Sequence, residues 1–188
     1  MSAGHPPLRT GHDMLGEKIK KKTRVIEETA QYVTFQVEGA EYGLDINVIT
    51  EAIRPLRITP LPRMPRFIEG VINLRGVIIP VVDLRKRFGI YDERGDQRKM
   101  RMIITRGAVQ GEAGSGGLLG LMVDSVREVL HVPLRQVDRA PEVATGAAAG
   151  FIAGMAKLAD RLVIILDITR VLSGEERAAL AEAEDVHS

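Results

Sequence analysis

The chain has 188 residues, 45% of them hydrophobic, and a formal net charge of +1. That supplies a core for one ordinary domain or two small ones, while the near-neutral charge and 4% aromatic content argue against a nucleic-acid binder. Cysteine is absent and three of the four histidines, His5, His12 and His187, lie in the tails, which removes disulfides, a thiolate nucleophile and the usual metal sites.

Residues 1–29 show no sustained period and carry the basic run Glu17-Lys-Ile-Lys-Lys-Lys-Thr-Arg24, read as a flexible, solvated extension. The opening residues lack the apolar segment of a signal peptide, and no apolar run approaches the ~18 residues needed to cross a bilayer, so a cytoplasmic protein without direct membrane insertion is expected.

From Gln31 the pattern alternates. Val33, Phe35 and Val37 share one face, Glu38-Gly39 turns the chain, and Tyr42, Leu44 and Ile46 alternate again, predicting a hairpin. Ile46, Ile49 and Ile53 then follow the i, i+3, i+7 spacing of a helix face, with Asp45 or Asn47 as cap and Pro55 as terminator. Four prolines between Pro55 and Pro65 mark an irregular loop. Val71-Ile-Asn-Leu and Val77-Ile-Ile-Pro-Val-Val read as strands joined by a tight Arg75-Gly76 turn, after which Asp83 caps a short helix ended by Gly89.

The second half repeats this grammar. Strands are expected near Met100 to Thr105 and Leu118 to Val123, followed by a helix-like stretch through Leu130 and a loop from about Pro133 to Gly150. Strands at Phe151 to Leu158 and Leu162 to Leu166 come next, with Asp167 as a cap. Ser173-Gly-Glu-Glu176 then has the form of a capping box, opening an Ala-rich terminal helix. Many short strands with turns at close intervals indicate small barrels or sandwiches.

The repetition extends to the residues. Phe67-Ile-Glu-Gly-Val-Ile-Asn-Leu-Arg-Gly aligns without a gap onto Phe151-Ile-Ala-Gly-Met-Ala-Lys-Leu-Ala-Asp, and Gly43-Leu-Asp-Ile onto Gly120-Leu-Met-Val. Special residues recur in place: Gly70 with Gly154, Asp83 with Asp167, Glu51 with Glu128. The chain therefore reads as two copies of one small fold, each longer than a solenoid repeat.

Motifs that carry chemistry are missing. Gly111-Glu-Ala-Gly-Ser-Gly-Gly117 has no Lys-Ser/Thr after it and reads as a hairpin loop, and there is no G-x-S-x-G or H-E-x-x-H. No cofactor or metal is expected. Glu51 and Arg75 are singled out as a polar pair on the first short helix and a strand turn, a type of surface contact that stabilises little. Their duplicate keeps the acid as Glu128 but has Ala159 opposite Arg75, so a site built on Arg75 would occur once per molecule. On the residues alone, a ligand-binding regulatory module and an SH3-like nucleic-acid binder stay open, although neutral charge and few aromatics weigh against the second.

Glu41-Tyr-Gly-Leu-Asp-Ile, Glu51-Ala-Ile-Arg, Phe67 to Arg85 with its Asn-Leu-Arg-Gly motif, and Gly120-Leu-Met-Val-Asp-Ser-Val-Arg-Glu-Val-Leu130 resemble the CheW family of bacterial chemotaxis coupling proteins. The likeness covers roughly residues 31–172. It implies a mainly β fold of two pseudo-symmetric, five-stranded SH3-like barrels with short helices and a C-terminal helix. The implied domains are a flexible extension over 1–29, barrels over 30–95 and 96–172 with terminal strands exchanged, and a helical tail over 173–188.

The resemblance further implies a non-catalytic adaptor joining cytoplasmic chemoreceptor tips to the regulatory domain of the histidine kinase CheA, in membrane-associated arrays of flagellar or other chemosensory output. The receptor hairpin would lie in an apolar groove facing Ile46, Ile49, Val126 and Val129, with Glu51 and Arg75 as polar members and Met100 and Met102 as wall residues. The resemblance assigns no residue to the kinase contact.

Overall fold

A computed structural model describes Met1 and residues 27–92, 95–107, 117–140 and 149–187. Strands β1 (Thr29–Val37) and β2 (Ala40–Asp45) form the expected hairpin, turned by Glu38 and Gly39 at φ 50° and 76°. Two successive left-handed residues match the right-handed twist of the flanking strands. Strands β4 (Ile68–Leu74) and β5 (Val77–Asp83) turn the same way through Arg75 at φ 52° and Gly76 at φ 88°. Asp83 caps α1 (Leu84–Arg87) by accepting from the Arg85 amide at 2.9 Å, and Gly89 follows at φ 80°.

Two expected helices are strands. After a single 3-10 turn at Ile46–Val48, capped by Asp45, the chain enters β3 (Ile49–Ile53). Likewise, after β6 (Arg101–Arg106) and β7 (Leu118–Val123), the stretch through Leu130 lies in β8 (Ser125–Pro133). The reason in β3 is a break in register. Ile49 pairs with Thr105 and Glu51 with Ile104, so the ladder slips at Thr50 and a period of two is disguised as a helical one.

The expected loop after Pro133 contains a 3-10 turn at Leu134–Gln136 and the short β9 (Val137–Arg139), while 141–148 and the Gly-rich stretch before Gly117 fall outside the described residues. Strands β10 (Ile152–Lys157) and β11 (Leu162–Leu166), a 3-10 turn capped by Asp167, and α2 (Gly174–His187) complete the chain. The capping box forms: Ser173 N–H donates to Glu176 Oε2 at 2.7 Å and Glu176 N–H to Ser173 Oγ at 3.2 Å.

The strands build two sheets with one plan. One has the order β8-β1-β2-β11-β10-β9 and the other β3-β6-β7-β5-β4. Each sheet thus combines strands from both copies, with the hairpin of one half inserted beside the strands of the other. Equivalent steps match: β2 runs parallel to β11 as β7 does to β5, and the β10/β11 register slips before Gly154 as β4/β5 slips before Gly70. Even β9 has a counterpart in the bridge of Thr59 to Val71, whose two amides exchange hydrogen bonds at 2.8 Å.

Among the described residues, three apolar clusters fill this frame. Ile72, Ile79, Val81 and Met102 pack inside one curled sheet; their duplicates in the other, Ala156, Val163 and Ile165, pack with Tyr32. The largest cluster lies between the sheets, where Phe35, Leu44 and Leu166 meet Ile103, Leu121 and Val123. Leu180 of α2 is fully buried in it. At the junction the Arg87 guanidinium is held between two duplicated rings, 4.3 Å from the Phe67 centroid and 4.5 Å from that of Phe151.

Candidate functional site

Strands β3 and β8 occupy the same place in their respective sheets, each with one outer edge unpaired in the sheet order. Opposite residues of an antiparallel pair share a face, and the partners show where each side chain points. Ile49 packs half-buried against the inter-sheet core. Ala52 pairs with Ile103 of that core and so shares the face, although sequence reasoning did not single it out.

On β8, Val126 packs against the same core, and Val129 pairs with Val33, whose other neighbour Leu44 belongs to it. Val129 is 44% exposed, an apolar residue on an edge strand with much of its surface still in water. Ile49, Ala52, Val126 and Val129 therefore flank the inter-sheet core on its two edge strands. Ile46 sits half-buried on the 3-10 turn leading into β3 and lines a depression with Thr29 and Asn47.

Glu51 and Arg75 do meet, and the contact is bidentate: Nη1 donates to Oε1 at 2.7 Å and Nη2 to Oε2 at 2.8 Å. Glu51 stands on β3 and not on a helix. It faces the other way from Ala52, since it pairs with Ile104 and precedes Ile53, both packed inside the sheet. The ion pair thus ties β3 to the β4–β5 turn, linking the two outer strands of the curled sheet. Arg75 remains 70% exposed. Its hydrogen bonds hold the Glu51 carboxyl below the ordinary carboxylate range, and Glu51 in turn raises Arg75.

The duplicate half has an arginine after all. Alignment sets Ala159 opposite Arg75, but the β10–β11 turn brings Arg161 to Glu128 at 2.5 Å. The two sites differ in what the cation serves. Arg161 also reaches Glu41 at 3.1 Å and Asp160 at 3.2 Å and is only 32% exposed, whereas among the described residues Arg75 has the single partner Glu51.

The two methionines separate. Met100 is half-buried just before β6 and packs against the core inside its sheet. Met102 is fully buried in that core, so it supports a wall from behind and presents no surface to a partner. Among the described residues no group of acids and histidines is arranged to hold a metal ion, and no helix is long and apolar enough to cross a membrane.

Residues 31–176 match the family model of the CheW-like domain. The chemotaxis protein CheW of Klebsiella aerogenes is 32% identical over 157 residues, covering 84% of this chain and 90% of its own. The CheW of Thermotoga maritima is 34% identical over 145 residues, 76% of this chain and 87% of that one. The crystal structure of the scaffolding protein CheW from Thermoanaerobacter tengcongensis superposes with a TM-score of 0.69 at 37% identity, covering 79% of this chain and 96% of the other.

Proposed function

Since the chain belongs to the CheW-like domain family and is a chemotaxis adaptor of that kind, we propose that it couples the cytoplasmic tips of chemoreceptors to the histidine kinase CheA without catalysing a reaction. One observation carries the receptor half of this reading: the duplicated edge strands set half-buried Ile49 and Val126 and exposed Val129 along the inter-sheet core. Such a row suits an amphipathic helix, whose apolar anchors supply affinity while charges at the rim set register.

Glu51 and Arg75 are the polar members of the reading, on the opposite face of β3, with the exposed guanidinium available to a partner's carboxylate. A standard interface takes about 800 Å² from each partner. Two sheets of one plan leave surface outside the groove for the kinase. The adaptor works in the cytoplasm and reaches the membrane through the receptors.

The experiment is retention of the kinase on an immobilised receptor-tip hairpin. With the chain present, both proteins are expected on the resin, and with it omitted the kinase is expected in the flow-through. Passage of the folded chain through the receptor resin, or of the kinase while the chain is bound, contradicts the proposal.

A further inference from the structure

We propose that the cleft between the end of β3 and the start of β6 binds an acidic polypeptide segment through Arg54, Arg98 and Arg101. The cleft is about 530 Å³, lined by these arginines with Pro55, Gln97 and Met100, within the ~300 to 1,000 Å³ of ordinary binding clefts. Among the described residues no carboxylate lines it. In a chain with 26 cations and 25 acids, that is a local excess of positive charge.

The duplicated half supplies an internal control. The β3–β6 ladder ends at Ile53 opposite Met102, which places Arg54 and Arg101 at the next position, two like charges facing each other. Met102 and Tyr32 take the same place inside their sheets, and the corresponding next pair on β8 and β1 is His131 opposite Gln31. Those two side chains, an amide and an imidazole, are hydrogen-bonded to each other at 2.9 Å. Where one copy satisfies this pair internally, the other leaves two guanidinium groups that an external anion would neutralise.

Surrounding contacts leave the cations available. Arg101 spends Nη1 on the carbonyls of Arg98 and Met100, at 3.0 and 2.7 Å, which aims the group without cancelling its charge. Arg98 pairs with Asp96, Nε donating to Oδ1 at 2.9 Å and Nη2 to Oδ2 at 3.3 Å, but its side chain is 91% exposed, and Arg54 forms no ion pair among the described residues. Carboxylates fit better than nucleic acid because among the described residues no aromatic ring lines the cleft for a base to stack on. They fit better than a membrane because the arginines line a recess. The apolar floor of Pro55 and Met100, with Leu56 exposed beside it, favours an acidic segment that includes an apolar residue.

The test is fluorescence anisotropy of a labelled oligo-glutamate peptide with the full chain at low and high salt. Arg54→Gln with Arg101→Gln is expected to weaken binding about tenfold or more, as loss of charge-assisted hydrogen bonds does. Gln31→Ala with His131→Ala, and Val129→Glu in the groove, are expected to leave it unchanged. If the double glutamine variant fails to fold, Arg98→Gln decides, with severalfold weaker binding supporting the cleft and unchanged binding overturning it. Wild-type affinity in a folded double glutamine variant overturns the proposal. So does no binding at all, or tighter binding of duplex DNA or phosphatidylglycerol vesicles with the same dependence on Arg54 and Arg101.

Discussion

Replacing Val129 separates contact from fold. The side chain is 44% exposed on an edge strand, so its removal has little effect on the free protein, for which changes of about 0.5 kcal/mol are usual at such sites. Val129→Ala removes two methyl groups, worth about 0.8 kcal/mol each when fully buried, and the fraction still exposed sets a loss of about 0.7 kcal/mol on docking. That corresponds to binding about threefold weaker.

Glutamate costs more, because a carboxylate carried into an apolar contact must find a partner or take up a proton. At pH 7 protonation of a side chain of ordinary pKa costs about 3.7 kcal/mol, which sets a ceiling. Val129→Glu is therefore expected to weaken receptor binding by between about tenfold and about 10³-fold. The assay is calorimetric titration with a receptor-tip hairpin, paired with urea unfolding of each variant. A Val129→Glu protein that unfolds cooperatively at the wild-type midpoint and binds with wild-type affinity refutes the assignment of this face.

Arg75→Glu places two acids where a bidentate pair stood, and the expected outcome is loss of receptor-dependent kinase control by a protein that still folds, checked by circular dichroism beside the coupled assay. The Glu51 carboxyl titrates below its unfolded value, so its contribution to stability is present above about pH 4.5 and is lost as pH falls through the lowered folded value. Urea midpoints of wild type and Glu51→Gln are therefore expected to converge on acidification. For Gly70→Ala, a Cβ would lie 2.0 Å from the Thr59 carbonyl oxygen at a φ of 135°, and a loss of about 3 to 5 kcal/mol is expected from strain and the broken Thr59–Val71 bridge. Gly154→Ala meets the Asp138 carbonyl oxygen at 2.6 Å without the positive φ and is expected to lose less; the reverse order in urea unfolding would contradict the strain argument.

The duplication was legible because both copies need the same special residues at the same points. Gly70 lies against the backbone of the Thr59 bridge and Gly154 against that of β9, and Asp83 and Asp167 both cap the turn after a central strand. Helices expected in place of β3 and β8 trace to one physical cause. An edge strand between two cores can bury side chains on both faces, and with a slip at Thr50 the spacing of Ile46, Ile49 and Ile53 imitates a helix while Ile49 serves one core and Ile53 another.

Within the site, the Glu51–Arg75 pairing was readable, but its face was not, because orientation depends on that same slip. The Glu128–Arg161 pair was missed since an ungapped alignment fixes sequence position and not turn geometry; the Leu158 amide donates to the Arg161 carbonyl at 2.9 Å, closing a turn that carries Arg161 into reach. The opposed arginines at the cleft, set against the hydrogen-bonded Gln31 and His131, become visible only when the two ladders are put in register.

The most direct measurement of the adaptor claim is the affinity of the chain for the kinase regulatory domain, titrated with and without a saturating receptor-tip hairpin. The account predicts that both partners are held together, with kinase affinity unchanged or raised when the groove is occupied. Displacement of the kinase by the receptor hairpin would contradict it, since a chain that holds one partner at a time cannot couple them.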